Sequence, residues 1–457
     1  MPQFHEAIPE TANGGFYTGF MTAMLEFGAF LGCFFMPWLA GKISRKWALS
    51  VVVVIFNIGA IIQTAAPDYG ALVAGRTIGG IGVGTLALLR GALLVLESIS
   101  IVTGVVTAYW ITYGTQYLEG EIAFRLPFGL QMVCATLLGF GIHFFPFSPR
   151  WLALVGRDED TLQSLSKLRR LPDDDERVQI EWRGILAEVE FQKIVLEKRH
   201  PGVGGFKLEV MTWLDLFTKR SWRRTAVGMG VAFFQQFSGI NGFIYYAPIL
   251  FRSIGQSDEM SLVLSGILSI VQLIAVIICF FIIDAVGRRP LAVWGGFGMG
   301  FPYVIMAALV GIYGPDWGNA AAGWATTAMA FIYILIYGVS YSPLGWALPP
   351  EQPRKGVALS TATVWLCNFI VGVIVPIMIE DAGWGTYLFF ALMCFLAGMW
   401  ACFLAPETMG KTLEEMDEVF HDSSAHEEKE LMRAAAGNAR RSSNARRESM
   451  SAGMRKV

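Results

Sequence analysis

The sequence predicts an all-α polytopic membrane protein. Apolar runs of roughly bilayer-crossing length follow one another along almost the whole chain. Of its 457 residues, 54% are hydrophobic and only 16% charged, and the mean hydropathy is +0.50. A string of soluble domains would carry far more charge. The formal net charge of −2 gives no pull toward nucleic acid. No soluble catalytic motif stands out, so an enzyme is not expected, nor is a cofactor or a metal. The cysteines Cys33, Cys134, Cys279, Cys367, Cys394 and Cys402 sit in apolar runs without metal-ligand spacing and read as packing residues. The opening Met1-Pro2-Gln3-Phe4-His5 has neither the basic nor the apolar region of a signal peptide.

Taken in order, residues 1–15 are polar and read as an external segment. The first run covers 16–38, where Gly19, Gly28 and Gly32 permit close helix packing. Lys42, Arg45 and Lys46 follow at once, and the positive-inside rule makes that short loop cytoplasmic and the N-terminus external. Runs at 48–66, 71–89, 91–114 and 124–147 complete a first bundle, 16–147. Arg76 would be costly in lipid unless it pairs or snorkels, and Arg125 at a helix start has the same explanation. Residues 148–224 carry fifteen Lys or Arg and no spanning run, so they read as a cytoplasmic linker. Within it, 158–170 and 181–198 have amphipathic helical patterns. A second bundle, 225–405, has runs at 225–251, 261–283, 291–313, 323–348, 356–379 and 386–405, which brings the count to about eleven. The tail, 406–457, is charged and Ser-rich beyond Asp417, poor in apolar residues, and expected to be largely disordered and cytoplasmic. Its Arg440-Arg441-Ser442-Ser443 and Arg446-Arg447-Glu448-Ser449 have the form of basophilic kinase sites.

One run is unusually polar. Gln235-Gln236-Phe237-Ser238-Gly239-Ile240-Asn241-Gly242-Phe243-Ile244-Tyr245-Tyr246-Ala247-Pro248 places amides, hydroxyls and no charge inside a spanning stretch. On a continuous helix Gln235, Gly239 and Gly242 share one face, with Gln236 beside them and Asn241 further on. Neutral groups that both donate and accept suit a ring of sugar hydroxyls, and the absence of charge argues against an ionic ligand. Interhelical bonding accounts for the same amides equally well.

This stretch resembles the seventh-helix signature of the sugar porter family, within the major facilitator superfamily, in its fungal hexose-transporter form. Similar marks recur along nearly the whole chain. Gly75-Arg76-Thr77-Ile78-Gly79-Gly80-Ile81-Gly82-Val83-Gly84 resembles the fourth helix, and Phe147-Ser148-Pro149-Arg150-Trp151 the mark that ends the sixth, with Phe147 where a Glu usually stands. Asp284-Ala285-Val286-Gly287-Arg288-Arg289 matches the loop motif that recurs in each half. Its first copy keeps only Gly41, Arg45 and Lys46. Ser340-Tyr341-Ser342-Pro343-Leu344-Gly345-Trp346 resembles the tenth-helix motif, and Pro406-Glu407-Thr408-Met409-Gly410-Lys411 the mark that closes the last helix.

The resemblance implies a major facilitator fold of two helical bundles, with about eleven spans here against the family's six and six. It implies a transmembrane carrier for a hexose or related sugar or polyol, working by alternating access, with proton coupling left open and a multi-pass position in the plasma membrane. Substrate contacts are expected from Gln235, Gln236, Asn241, Gln272, Trp346 and Asn368. Tyr245, Tyr246, Asp284, Arg288, Arg289, Glu351, Arg354, Arg90 and Arg150 are expected to gate. The partners implied are the sugar, protons and the lipid bilayer.

Three departures from the family pattern matter. The opening residues resemble the external loop after the first family helix, so that helix is expected to be missing. The fourth helix runs directly into Arg90-Gly91 without its usual Pro-x-Tyr stretch, and the loop between Glu351 and Arg354 is short. The acidic residue that proton-coupled members carry on the first helix is therefore expected to be lacking. The carboxylates remaining within spans are Glu26 and Glu97, each of which serves equally well as a plain interior hydrogen-bonding group. Two other readings stand beside the carrier: a non-transporting sugar receptor, and a truncated, inactive transporter product.

Overall fold

The computed structural model describes residues 2–12, 15–86, 94–218, 222–314, 317, 320–347 and 354–407. Arg90, Glu351 and most of the tail, with its candidate kinase sites, lie outside that set, as do the side chains of Glu97, Asp284, Trp346 and Arg354. The described chain is helical. A short α1 (Pro2–Ala7) precedes α2 (Gly15–Ala65), α3 (Tyr69–Leu86), α4 (Leu94–Thr115) and α5 (Ile122–Gly141). Four shorter or amphipathic helices follow: α6 (Pro149–Leu154), α7 (Asp158–Arg169), α8 (Glu176–Arg199) and α9 (Gly205–Leu214). The second half comprises α10 (Trp222–Phe237), α11 (Ile240–Ser253), α12 (Asp258–Val286), α13 (Arg288–Tyr313), α14 (Ala320–Val339), α15 (Tyr341–Ala347), α16 (Arg354–Ala382) and α17 (Trp384–Leu404).

Among the described residues, eight helical segments are long and apolar enough to cross a membrane. The runs at 71–89 and 91–114 appear as the continuous helices α3 and α4, which are not among those eight. The run at 225–251 is cut into α10 and α11 at Gly239, whose φ of 89° suits a residue without Cβ. The run at 323–348 is cut between α14 and α15 at Ser340. In the first half the loop expected after residue 38 is reduced to a bend: α2 turns at Ser44, with φ 75° and ψ 156°.

The chain divides into two compact units. The larger holds 1–37, 51–138 and 224–411. Glycines set its closest approaches. A Cβ on Gly28 would lie 2.1 Å from the Thr77 carbonyl oxygen, and on Gly80 2.0 Å from that of Leu25, so α2 and α3 touch backbone to backbone. Gly296 of α13 meets Gly398 of α17 in the same way, at 2.4 Å from the Gly398 nitrogen. Some polar groups of the first half find local partners, while others, Arg76 Nε among them, are buried with no hydrogen-bond partner among the described residues. Gln63 donates to the carbonyls of Gly59 and Gly75. Arg125 bonds Glu121 and the carbonyl of Thr64, which is the pairing its position demands. The second half is centred on an aromatic core including Phe243, Tyr303, Tyr333 and Phe390, with Tyr303 and Tyr333 ring centroids 4.6 Å apart.

The smaller unit holds 38–50 and 139–223. The two amphipathic patterns appear as α7 and α8, which close a core of Leu165, Val178, Trp182, Ile185 and Val189. Lys46 donates to the carbonyls of His143 and Phe145, and Trp151 to that of Gly41. Asp175 caps α8 by accepting from the Arg177 amide at 2.9 Å, and also receives the Arg177 guanidinium. Those bonds hold the Asp175 carboxyl below the usual carboxylate range. A group depressed on folding stabilises above its unfolded value and loses that contribution as pH falls through its folded one. The cap therefore holds at neutral pH and releases on acidification below the ordinary carboxylate range. Amide exchange at 176–179, corrected for intrinsic rates, should show fraying there, and Asp175→Ala should fray at pH 7.

Candidate functional site

The polar stretch is built around the break between α10 and α11. Ending α10 at Phe237 leaves its last carbonyls without helical partners. Ser238 Oγ donates to the Gln235 carbonyl at 2.7 Å, and the Tyr333 hydroxyl to the Ser238 carbonyl at 2.9 Å. Because the helix breaks, Gln235 and Gly242 do not share the single continuous face expected above. The amides instead form a directed chain. Asn241 Nδ2 donates to Gln236 Oε1, Gln236 Nε2 to Gln235 Oε1 at 3.4 Å, and Gln235 Nε2 to the carbonyls of Tyr341 and Ser342 at 3.1 and 3.3 Å. All three amide side chains are buried. Gln235 thus ties α10 to the start of α15, where Gly345 makes room: a Cβ there would lie 2.2 Å from the Gln235 amide.

A second cluster lies one helical turn beyond Asn241. The Tyr245 hydroxyl donates to Glu26 Oε1 on α2 and accepts from Asn368 Nδ2 on α16 at 3.5 Å. Tyr246, where α11 kinks with φ −122° and ψ 16°, donates to the Gly372 carbonyl at 2.8 Å. Tyr245, expected as a gate, stands beside the substrate candidate Asn368. Sequence reasoning left Glu26 outside the site because a lone carboxylate in an apolar run does not reveal its partner. Gln272 is buried on α12, where the neighbouring α14 approaches at Gly338, and the amide chain does not reach it.

The other gating candidates that can be described each have their own partners. Glu407 accepts from the amides of Arg288 and Arg289 at 3.3 and 3.2 Å, placing a carboxylate on the α13 N-terminus. Arg289 also donates to the Cys402 carbonyl at 2.7 Å. In the smaller unit Arg150 pairs with Glu188 at 3.1 Å. Glu380, not singled out in the sequence, accepts from the Gly15 amide at 3.2 Å and joins the ends of α16 and α2. A stretch of over three hundred residues separates these two, which is why no motif shows it.

The family model described as "Sugar (and other) transporter" matches residues 3–420. The chain belongs to the sugar transporter family. It is 33% identical over 453 residues to the sugar transporter STL1 of Saccharomyces cerevisiae, covering 92% of this chain and 76% of that protein. It is 30% identical over 441 residues to a high-affinity glucose transporter of Kluyveromyces lactis, covering 89% of this chain and 78% of that one. Among solved structures, the major facilitator superfamily proton:xylose symporter XylE bound to 6-bromo-6-deoxy-D-glucose superposes with a TM-score of 0.72 at 23% identity, covering 89% of each chain. The inward-open xylose transporter XylE from E. coli gives 0.66 at 22%, covering 91% of this chain and 93% of that one. This sugar transporter family member therefore has the major facilitator fold and is an integral multi-pass membrane protein.

Proposed function

We propose that this sugar transporter family member carries a hexose, or a related sugar or polyol, across the membrane by alternating access. The observation that carries the reading is the buried, uncharged amide chain Gln235–Gln236–Asn241 at a helix break in the second half. Broken helices at a substrate site are the usual device of such carriers, since they present polar backbone and side chains where a continuous helix cannot. Neutral amides suit hydroxyls that both donate and accept.

In this reading Gln236, Asn241 and Asn368 contact the sugar, with Trp346 covering it, while Gln235 both contacts it and fastens α15. Gln272 belongs to the same proposed set from α12. Tyr245 and Tyr246 close toward α2 and α16. Arg288 and Arg289, with Asp284, form one gate at the base of α13, and Arg150, Arg90, Glu351 and Arg354 belong to the same inward-closing set. We assign the basic linker and the tail to the cytoplasm and the protein to the plasma membrane. The proposed organisation is a first bundle, 16–147, and a second, 225–405, joined by the linker 148–224.

Expression in a host stripped of its own sugar carriers, with labelled hexoses, pentoses and polyols offered singly, tests the reading. Saturable uptake of at least one is expected. Ligand binding without uptake would favour a receptor and contradict it.

A further inference from the structure

Glu26 takes no part in the sugar contacts proposed above, yet its surroundings are those of a working group. It is 2% exposed on α2, within a segment of spanning length. Burying a carboxylate there is costly unless its oxygens are satisfied or it is neutral. One oxygen is satisfied by the Tyr245 hydroxyl. The other, Oε2, is buried with no hydrogen-bond partner among the described residues. Asn368 on α16 repeats the pattern: its amide nitrogen meets the same Tyr245 hydroxyl, and its buried Oδ1 has no partner among the described residues. Two acceptors without a donor therefore flank one hydroxyl, and a buried acceptor left without a donor is destabilising.

Among the described residues, the charged and titratable groups that face Glu26 are Tyr245 and Tyr246 from α11 and Arg76 from α3. None supplies a donor to Oε2. A proton does. A neutral carboxyl donates once from that oxygen, and Asn368 Oδ1, beside the same hydroxyl, is an acceptor in want of a donor.

We propose that Glu26 binds the proton that moves with the sugar. This rests on the carrier reading above. With the proton on Oε2, Glu26 donates to Asn368 and a bond joins α2 to α16. Without it, the carboxylate is held by the Tyr245 hydroxyl and the positive field of Arg76, and that bond is gone. The seam it crosses is tight: a Cβ on Gly19 would lie 2.8 Å from the Val373 carbonyl oxygen, and Phe27 packs on Phe369 with centroids 5.3 Å apart. One bond gained or lost there shifts the balance between arrangements of the two helices. The proton comes from water on one side and returns to water on the other, so nothing else is consumed. Asn368, a sugar contact in the proposed site, links proton and sugar: a carboxyl that donates to its Oδ1 holds the amide in place for the sugar, so each favours binding of the other.

The test uses the full chain in liposomes with weak internal buffer, reading proton movement on sugar addition and, separately, exchange of labelled for unlabelled sugar. Wild type is expected to do both. Glu26→Gln, isosteric but unable to take a proton, is expected to lose proton movement and still exchange sugar; Glu26→Asp is expected to recover proton movement. Glu26→Gln that moves protons as wild type does overturns the proposal. So does loss of exchange in Glu26→Gln and Glu26→Asp alike, which makes Glu26 a packing group. Wild type that exchanges sugar without moving protons overturns the proton site and leaves the carrier standing. Wild type with no sugar flux defeats both.

Discussion

Asn241→Ala cuts sugar uptake at limiting sugar by about tenfold to a hundredfold, and Gln236→Ala does the same. Asn241 Nδ2 donates to Gln236 Oε1, and both side chains are buried. Removing Asn241 takes away its own contact with the sugar and leaves the Gln236 oxygen without its donor. A buried acceptor left unpaired costs about 1–3 kcal/mol, and each 1.4 kcal/mol is tenfold in affinity. The loss should appear mainly in the apparent affinity, because the contacts are made to bound sugar. Uptake kinetics measured at equal surface expression check this. Gln235→Ala is expected to differ in kind, lowering the amount of folded carrier as well, since its amide fastens two carbonyls at the start of α15.

Gly80→Val abolishes folded carrier altogether. Even a Cβ at that position would lie 2.0 Å from the Leu25 carbonyl oxygen, which is backbone and cannot swing away. The helices α2 and α3 would have to separate, and with Gly28 and Gly84 in the same seam the whole contact opens. Overpacking costs typically about 1–3 kcal/mol where side chains can adjust, and more where backbone must move. Gly80→Ala should already lower the melting temperature. Gly104→Ala is the control: a Cβ there meets nothing within 4 Å, and no loss is expected. Fluorescence-detected size exclusion after heating separates the three variants.

The helical fold was legible because spanning runs are long, apolar and separated by charge, as at Lys42, Arg45 and Lys46. The amphipathic pair α7 and α8 was legible from periodicity. The break at Gly239 was not, since glycine is common within membrane helices. It takes the bonds from Ser238 and Tyr333 to make the interruption stable. The amides of the site were visible as residue types out of place in lipid. Whether they face a ligand or a neighbouring helix depends on pairing across the fold, and Gln235 turns out to bond α15 directly. Glu26 shows the same limit. Its carboxylate stands out in the first run, but its meaning comes from Tyr245, more than two hundred residues away. Glu380 on the Gly15 amide is the plainest case of a contact no local pattern records.

The central claim is that this chain moves a sugar by presenting one site alternately to the two sides, and counterflow tests it most directly. The purified chain is placed in liposomes loaded with unlabelled sugar, and a trace of labelled sugar is added outside. An alternating site returns with label each time it exports unlabelled sugar, so internal label should rise above equilibrium and then decline. Asn241→Ala should blunt the overshoot. Absence of any overshoot, with label binding to the protein or leaking in only to equilibrium, would contradict the account.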